Sequence, residues 1–335
     1  MKKLFIIALT AIFLAPSCID IHTEYDDQVR YDNDKIIEFL YDHNIQATKH
    51  QSGFYYKAMS TNSSGSVLKA GDIVEFQYSI ALLQNGEIIE TNMSPLMTLD
   101  GNSGTPGIFA AEYEHTTGET IYESSPSYFK LNTYSIVPEG LDYGIKMMRT
   151  GETFKFYMPS YLAFGSYRSE LFPSYSCFII TIRVLDKLTE SEMYNKQMDS
   201  VETYMNEHYA GYVKATSGLC FYDSIPGTGP RPFNYDQVVI DFKRKYLDNS
   251  LIKSGNNVSL YINGNEAVEG LQEGLKLMKE GGSAVLVMPS SLGFRQSVCV
   301  IPEYTRKELV EDRWLNYEVK PYSILKYEVK LKVVN

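Results

Sequence analysis

Hydrophobic and polar positions alternate in short runs along this chain, and the runs recur in one order. IVEFQYSI (73–80) and VVIDFKRKY (238–246) are β-branched and aromatic with partial alternation, which predicts strands. QNG (84–86) and DNS (248–250) are polar turn signals that follow them. TFKFYMP (153–159) and SAVLVMP (283–289) are strands ended by proline, and SCFIITIRVLD (176–186) and SILKYEVKLKVV (323–334) are closing strands. Between them lie GLDYGIKMM (140–148) and GLQEGLKLM (270–278). Leu141, Ile145 and Met148, and likewise Leu271, Leu275 and Met278, fall at helical spacing, so each run predicts one short amphipathic helix. The glycine after each, Gly151 and Gly281, is expected to cap the helix C-terminus.

The order repeats over more than the helix. EGLDYGIKMMRTGE from Glu139 matches EGLQEGLKLMKEGG from Glu269, MPSYLAFG from Met158 matches MPSSLGF from Met288, and SGFYY from Ser52 matches SGLCF from Ser217. Two α+β domains are expected, each an antiparallel β-sheet wrapped on one short helix. A charged, helix-like stretch precedes each copy: DNDKIIEFLYDHN (32–44), and LTESEMYNKQMDSVETYMNEHY (188–209), which is expected to join the domains. The boundaries read as a leader at 1–18, a tether and short helix at 19–49, a first domain at 50–187, a linker at 188–214 and a second domain at 215–335. Insertions interrupt the copies at about 92–125 and 296–320, the latter holding the only tryptophan, Trp314.

Composition narrows the function. The formal net charge is −10 with no overriding basic run, so nucleic acid is not an expected partner. The first residues, MKKLFIIALTAIFLAPSC, combine a lysine pair with an apolar run too short to span a bilayer, and read as an export signal. Cys18 after Ala15-Pro16-Ser17 resembles a bacterial lipoprotein cleavage site, which implies a lipid-carrying Cys18 and a membrane anchored without a spanning helix. Cys177 and Cys220 lie in apolar runs and read as small buried hydrophobes. There is no CxxC, no HExxH, no P-loop and no GxSxG elbow, and the five histidines are scattered, so neither metal nor cofactor is expected.

The ordered motif set resembles the FKBP-type peptidyl-prolyl isomerases. The pieces that carry the resemblance are the NG turn followed by EIIET, the FKL strand at Phe129, the EGLDYGIKMM helix, Gly151-Glu152, MPSYLAFG and LFPSYSCFIITI. Together they span nearly all of residues 50–187, and the second copy follows more loosely. The whole chain is similar to tandem FKBP lipoproteins of Bacteroidetes envelopes, which implies an outer-membrane, lipid-anchored protein facing the periplasm or the surface.

The resemblance also implies a pocket. In the first copy it falls on Tyr78, Ile89, Glu90, Val137, Leu141, Phe164, Phe172 and Ile180, with Leu171 on the wall. Glu90 stands where the family has Asp, and Phe164 replaces a Tyr whose hydroxyl helps to hold the peptide. In the second copy the pocket falls on Phe242, Ile252, Val268, Leu271, Phe294 and Tyr327. There Lys253 takes the carboxylate position and Arg295 follows the pocket aromatic in place of Gly, so cationic groups are expected near a site that should be apolar, and this copy is expected to be a poor or dead isomerase. The function implied is a prolyl isomerase and folding helper for exported proline-containing polypeptides, with catalysis in the first copy. The alternatives are a non-catalytic peptide- or protein-binding lipoprotein that kept the fold and, from tyrosine content alone, a surface glycan binder.

Overall fold

A computed structural model describes residues 23–93, 126–316 and 318–335. The leader, Cys18 and nearly all of the 92–125 insertion lie outside the described residues. The chain opens on helix α1 (Glu24–Asp42), whose Thr23 and Asp26 form a reciprocal capping box. What reads as a tether with a short helix is therefore 19 residues of helix. Strands β1 (Thr48–Lys49), β2 (Tyr55–Ser60), β3 (Ile73–Leu82), β4 (Ile88–Thr91), β5 (Ser127–Lys130) and the two-residue β6 (Ile136–Val137) follow. Then come α2 (Gly140–Ile145), β7 (Thr153–Met158) and β8 (Phe178–Leu188). The sheet runs β1-β2-β7-β8-β3-β4, with β5 also paired to β3, and every pairing in it is antiparallel.

Helix α3 (Glu190–His208) starts on a second capping box, Thr189 with Glu192, and leads into the second copy. Strands β9 (Val213–Lys214), β10 (Cys220–Ile225), β11 (Gln237–Lys245) and β12 (Leu251–Tyr261) precede α4 (Glu269–Leu277) and β13 (Ser283–Met288). An excursion carries β14 (Cys299–Val300) and α5 (Thr305–Glu311) before the closing strand β15 (Leu325–Val334). This sheet runs β12-β11-β15-β13-β10-β9. Strand β14 belongs to neither sheet; it pairs in parallel with β6 of the first copy.

The doubled helix motif has a packing cause. A Cβ on Gly140 would lie 2.3 Å from the Met158 sulfur, and one on Gly270 would lie 2.4 Å from the Met288 sulfur. At Gly144 and Gly274 the obstacles are Phe156 at 2.6 Å and Leu286 at 2.4 Å. Each glycine pair lets its helix lie directly on the sheet, and Leu141, Ile145, Leu271 and Leu275 are buried beneath it. Polar anchoring repeats as well: Asp142 accepts the Asn132 N–H at 2.8 Å, and Gln272 accepts the Asn263 N–H at 3.0 Å.

Gly151 and Gly281 do not cap the helices. α2 ends at Ile145 and α4 at Leu277, several residues earlier. Both glycines adopt left-handed backbone, φ 82° and 84°, in the turn that enters β7 or β13. Their N–H groups donate to Val184 and Leu331 of the closing strands, so they fix the turn to the sheet rather than the helix end.

The preceding helix belongs to each repeat. Ile36 and Leu40 of α1 pack with Leu83, Tyr157 and Cys177 on the outer face of the first sheet. Val201 and Met205 of α3 pack with Cys220, Val285 and Val287 on the second. Buried Asp32 accepts the Ser160 N–H at 2.8 Å, and buried Gln197 accepts the Ser290 N–H at 2.8 Å, at the same place in the two copies. α3 also faces the first sheet. Met193 packs with Ile73 and Tyr322, and Lys196 pairs with Glu75 at 2.7 Å.

Candidate functional site

Tyr78, Ile89, Leu141, Phe164, Phe172 and Ile180 all enter one buried cluster, with Val137 and Leu171 packed against it. Their origins explain the convergence. Tyr78 pairs with Ile182 and Ile80 with Ile180 across β3 and β8, alternation turns all four inward, and α2 carries Leu141 onto the same face. Phe164 and Phe172 come from the loop between β7 and β8, with ring centres 4.6 Å apart. Phe178 joins them at 5.8 Å from Phe164 and 5.1 Å from Phe172. Phe178 was not among the sequence candidates, although it lies two residues before Ile180 in the same alternating phase, a signal that could have found it.

Glu90 is the buried carboxylate of this pocket, 8% exposed, and it accepts a hydrogen bond from the Tyr78 hydroxyl. Burial pushes its pKa upward, and the hydrogen bonds offset part of that rise. The Tyr78 hydroxyl is raised well above its ordinary value, first by burial and then by the adjacent Glu90 charge. It stays a proton donor.

The pocket is not open. The excursion of the second copy crosses the gap and lays residues 298–304 into it. Val300 and Ile301, 1% and 0% exposed, belong to the same buried cluster as Leu141 and Phe164. A buried aliphatic side chain of this size is worth roughly 1.5–3 kcal/mol. The Cys299 N–H donates to Ser135 O at 2.7 Å and the Ile301 N–H to Val137 O at 2.8 Å. Pro302 follows, buried, and the Val137–Pro138 and Ile301–Pro302 peptide bonds are both cis. The next two N–H groups, of Glu303 and Tyr304, both donate to the Glu90 carboxylate.

Outside the pocket the excursion is held by polar contacts. Glu308 accepts from the Ser169 hydroxyl and, at 2.8 Å, from the Glu170 N–H. The Tyr304 hydroxyl donates to Glu170 at 2.8 Å, and the Tyr167 hydroxyl to Asp312 at 3.0 Å. The Trp314 ring meets the Tyr167 ring edge-on, centres 5.3 Å apart. Tyr167 was not among the sequence candidates. It sits three residues beyond Phe164 and supplies a phenol on the rim of the same pocket.

The second pocket holds a different surprise. Phe242, Ile252, Val268, Leu271, Phe294 and Tyr327 do share one cluster. The cation within it is Arg244. Its guanidinium stacks 4.7 Å from the Phe294 ring centre, interacts with the Tyr327 hydroxyl and pairs with Glu318. Among the described residues its Nε has no hydrogen-bond partner. Strand alternation places it there, because Val238, Ile240, Phe242 and Arg244 share the inward phase of β11. Lys253 and Arg295 instead point outward, with side chains 51% and 63% exposed, paired to Glu318 and Glu269. Arg295 holds a left-handed backbone, φ 51°, at the position where Gly165 has φ 55° in the first copy.

A sequence profile of the FKBP-type peptidyl-prolyl cis-trans isomerases matches residues 65–185 and again 229–332. The chain belongs to this family, with its domain present twice. A probable FKBP-type peptidyl-prolyl cis-trans isomerase FkpA of Neisseria meningitidis serogroup B is 29% identical over 101 residues, which cover 28% of this chain and 36% of that protein. The chain thus spans about a third of the length of that relative. Among solved structures, the three FKBP domains of wheat FKBP73 match 85% of this chain and 96% of theirs, at 14% identity and a TM-score of 0.30. FkpA from Escherichia coli matches 44% of this chain and 64% of its own, at 22% identity and a TM-score of 0.33. Among the described residues no cluster of His, Cys, Asp or Glu is arranged to hold a metal.

Proposed function

We propose that this chain is a peptidyl-prolyl isomerase for exported polypeptides, with catalysis in the first domain. The observation that carries the reading is the apolar box of Tyr78, Leu141, Phe164 and Phe172, which accommodates an extended Val-Ile-Pro segment with its backbone paired to β6. An X–Pro bond turns over a barrier of roughly 18–20 kcal/mol set by amide resonance. A dry aromatic site disfavours the charge-separated planar form relative to the twisted one, and no nucleophile is required. We read the second domain as a poor isomerase, because the Arg244 guanidinium, paired to Glu318, stacks on Phe294 in its pocket. A lipid on Cys18 would place the protein in the outer membrane of the envelope, where exported chains meet slow prolyl steps. Among the described residues no helix is long and apolar enough to cross a membrane.

A second reading, a non-catalytic binding module, is favoured by one specific observation: the pocket already holds residues 298–304. A proline-limited refolding substrate separates the two. Acceleration of the slow phase, lost at least ~10-fold in Phe164→Ala and Glu90→Ala, is the expected result. An unchanged slow phase at excess protein, both for the wild type and for variants with the 298–304 segment released, overturns the catalytic reading.

A further inference from the structure

We infer that residues 298–304 are the resident ligand of the first domain's pocket and that client chains enter by displacing them. This inference rests on the reading of that pocket as a site for X–Pro peptides. No residue of the segment belongs to the buried core of the second domain. The Ser297 hydroxyl donates to Val319 O at 2.7 Å and the Tyr322 N–H to Arg295 O at 2.7 Å, which close the neck of the excursion. The second sheet and its core are complete below that neck. What lies beyond the neck behaves as a bound peptide does. It adds a short strand to β6, buries the consecutive side chains of Cys299, Val300 and Ile301 in an apolar box and ends on a carboxylate that takes two successive N–H groups.

The segment is held by unequal contacts. The pocket contacts are buried apolar side chains together with the backbone N–H bonds to Ser135, Val137 and Glu90. Those of Glu308 and Asp312 lie on a partly exposed rim where water replaces protein donors at little cost, while Leu309 of α5, 5% exposed, adds one apolar contact to the same buried cluster. A tethered ligand competes at an effective concentration on the order of millimolar, so it excludes weak clients and yields to strong ones. The geometry also names the client class. Two consecutive aliphatic residues precede the proline, and the two residues after it must offer N–H groups to Glu90. A second proline immediately after the first removes one of those donors.

The test uses the purified protein and a fluorescent peptide, SVSVIPEYT, which copies the segment with serine for the cysteine, beside SVSVIPPYT. Anisotropy is read on the wild type, on Ile301→Asp, which drives a charge into the box, and on the doubly substituted Glu308→Ala/Asp312→Ala, which leaves the pocket lining intact. Both variants are expected to bind SVSVIPEYT at least ~10-fold more tightly than the wild type, the gain reflecting removal of the closed population. SVSVIPPYT is expected to bind at least ~10-fold more weakly. Release is read independently as thiol labelling of Cys299, which is 2% exposed and whose pKa burial pushes up to about 12. The inference is overturned if labelling rises while peptide affinity stays unchanged, if Cys299 stays protected in both variants, or if both variants lose their folded structure. Tighter peptide binding with no effect on proline-limited refolding sinks the isomerase reading and keeps the resident ligand. Equal isomerase activity and equal peptide affinity in all three proteins does the reverse.

Discussion

Glu90 is held between burial, which favours its proton, and three hydrogen bonds, which favour its charge. The net shift is upward from the ordinary 4.5, with burial the largest cause. A carboxyl whose folded pKa lies above its unfolded value binds more proton in the native state within that window. Its contribution to stability therefore falls as pH rises through the window above 4.5 and is flat beyond the folded value. The unfolding free energy of the wild type, measured against Glu90→Gln in urea from pH 4.5 to 7.5, should decline relative to the variant as pH rises. A gap that moves the other way would mean that the three donors outweigh burial. At this same scale the sequence was partly legible. The family pattern led to Glu90 and Tyr78. Arg244 was missed although its inward phase, two residues after Phe242, is written in IDFKRK, because the pocket was placed from the family pattern and no pocket position of that pattern falls on it. Lys253 and Arg295 drew attention by chemical type, yet type does not decide direction, and both escape to partners at the rim.

At the scale of elements, the strands and the short helices follow from alternation, turn residues and the repeat. Their common cause is local: period two for strands, glycines where a helix must touch a sheet. The helices α1 and α3 were legible as helices, while their place in the repeat was not, since it rests on one polar side chain meeting a distant N–H. Asp32 reaches Ser160 across 128 positions, and Gln197 reaches Ser290 across 93. Removing either acceptor leaves a buried N–H unpartnered, which costs roughly 1–3 kcal/mol. Asp32→Ala should lower amide hydrogen-exchange protection in β7 and β8 while β13 and β15 keep theirs, and Gln197→Ala should affect β13 and β15 first. Asp32 also accepts from the Ser160 hydroxyl and the Gln28 amide, and Gln197 also donates to Tyr322 O, so each substitution removes more than one hydrogen bond. Equal loss in both sheets from either variant would show that each helix does not serve its own repeat.

The molecule as a whole is tied together by two devices of different strength. α3 joins the domains through apolar contact of Met193 with Ile73 and Tyr322 and through the Lys196–Glu75 pair. The excursion joins them through the pocket. Nothing local in the sequence marks that second tie, because a parallel pairing between residues 136–137 and 299–300 leaves no pattern on either side. The apolar run VCVIP inside an otherwise polar insertion was the only trace. A displaceable excursion should open at lower free energy than the sheets unfold, as segments held by few buried contacts do. Trp314 is the sole tryptophan and sits on the excursion against Tyr167, 64% exposed, so its emission reports that opening. In a urea titration its fluorescence should change at a lower denaturant concentration than the far-ultraviolet circular dichroism, with a smaller slope in keeping with less exposed area. Adding SVSVIPEYT without denaturant should produce the same spectral change. Coincident transitions by the two probes would make the excursion part of the cooperative core, and the first pocket and residues 298–304 would then be one continuous structure rather than a site and its occupant.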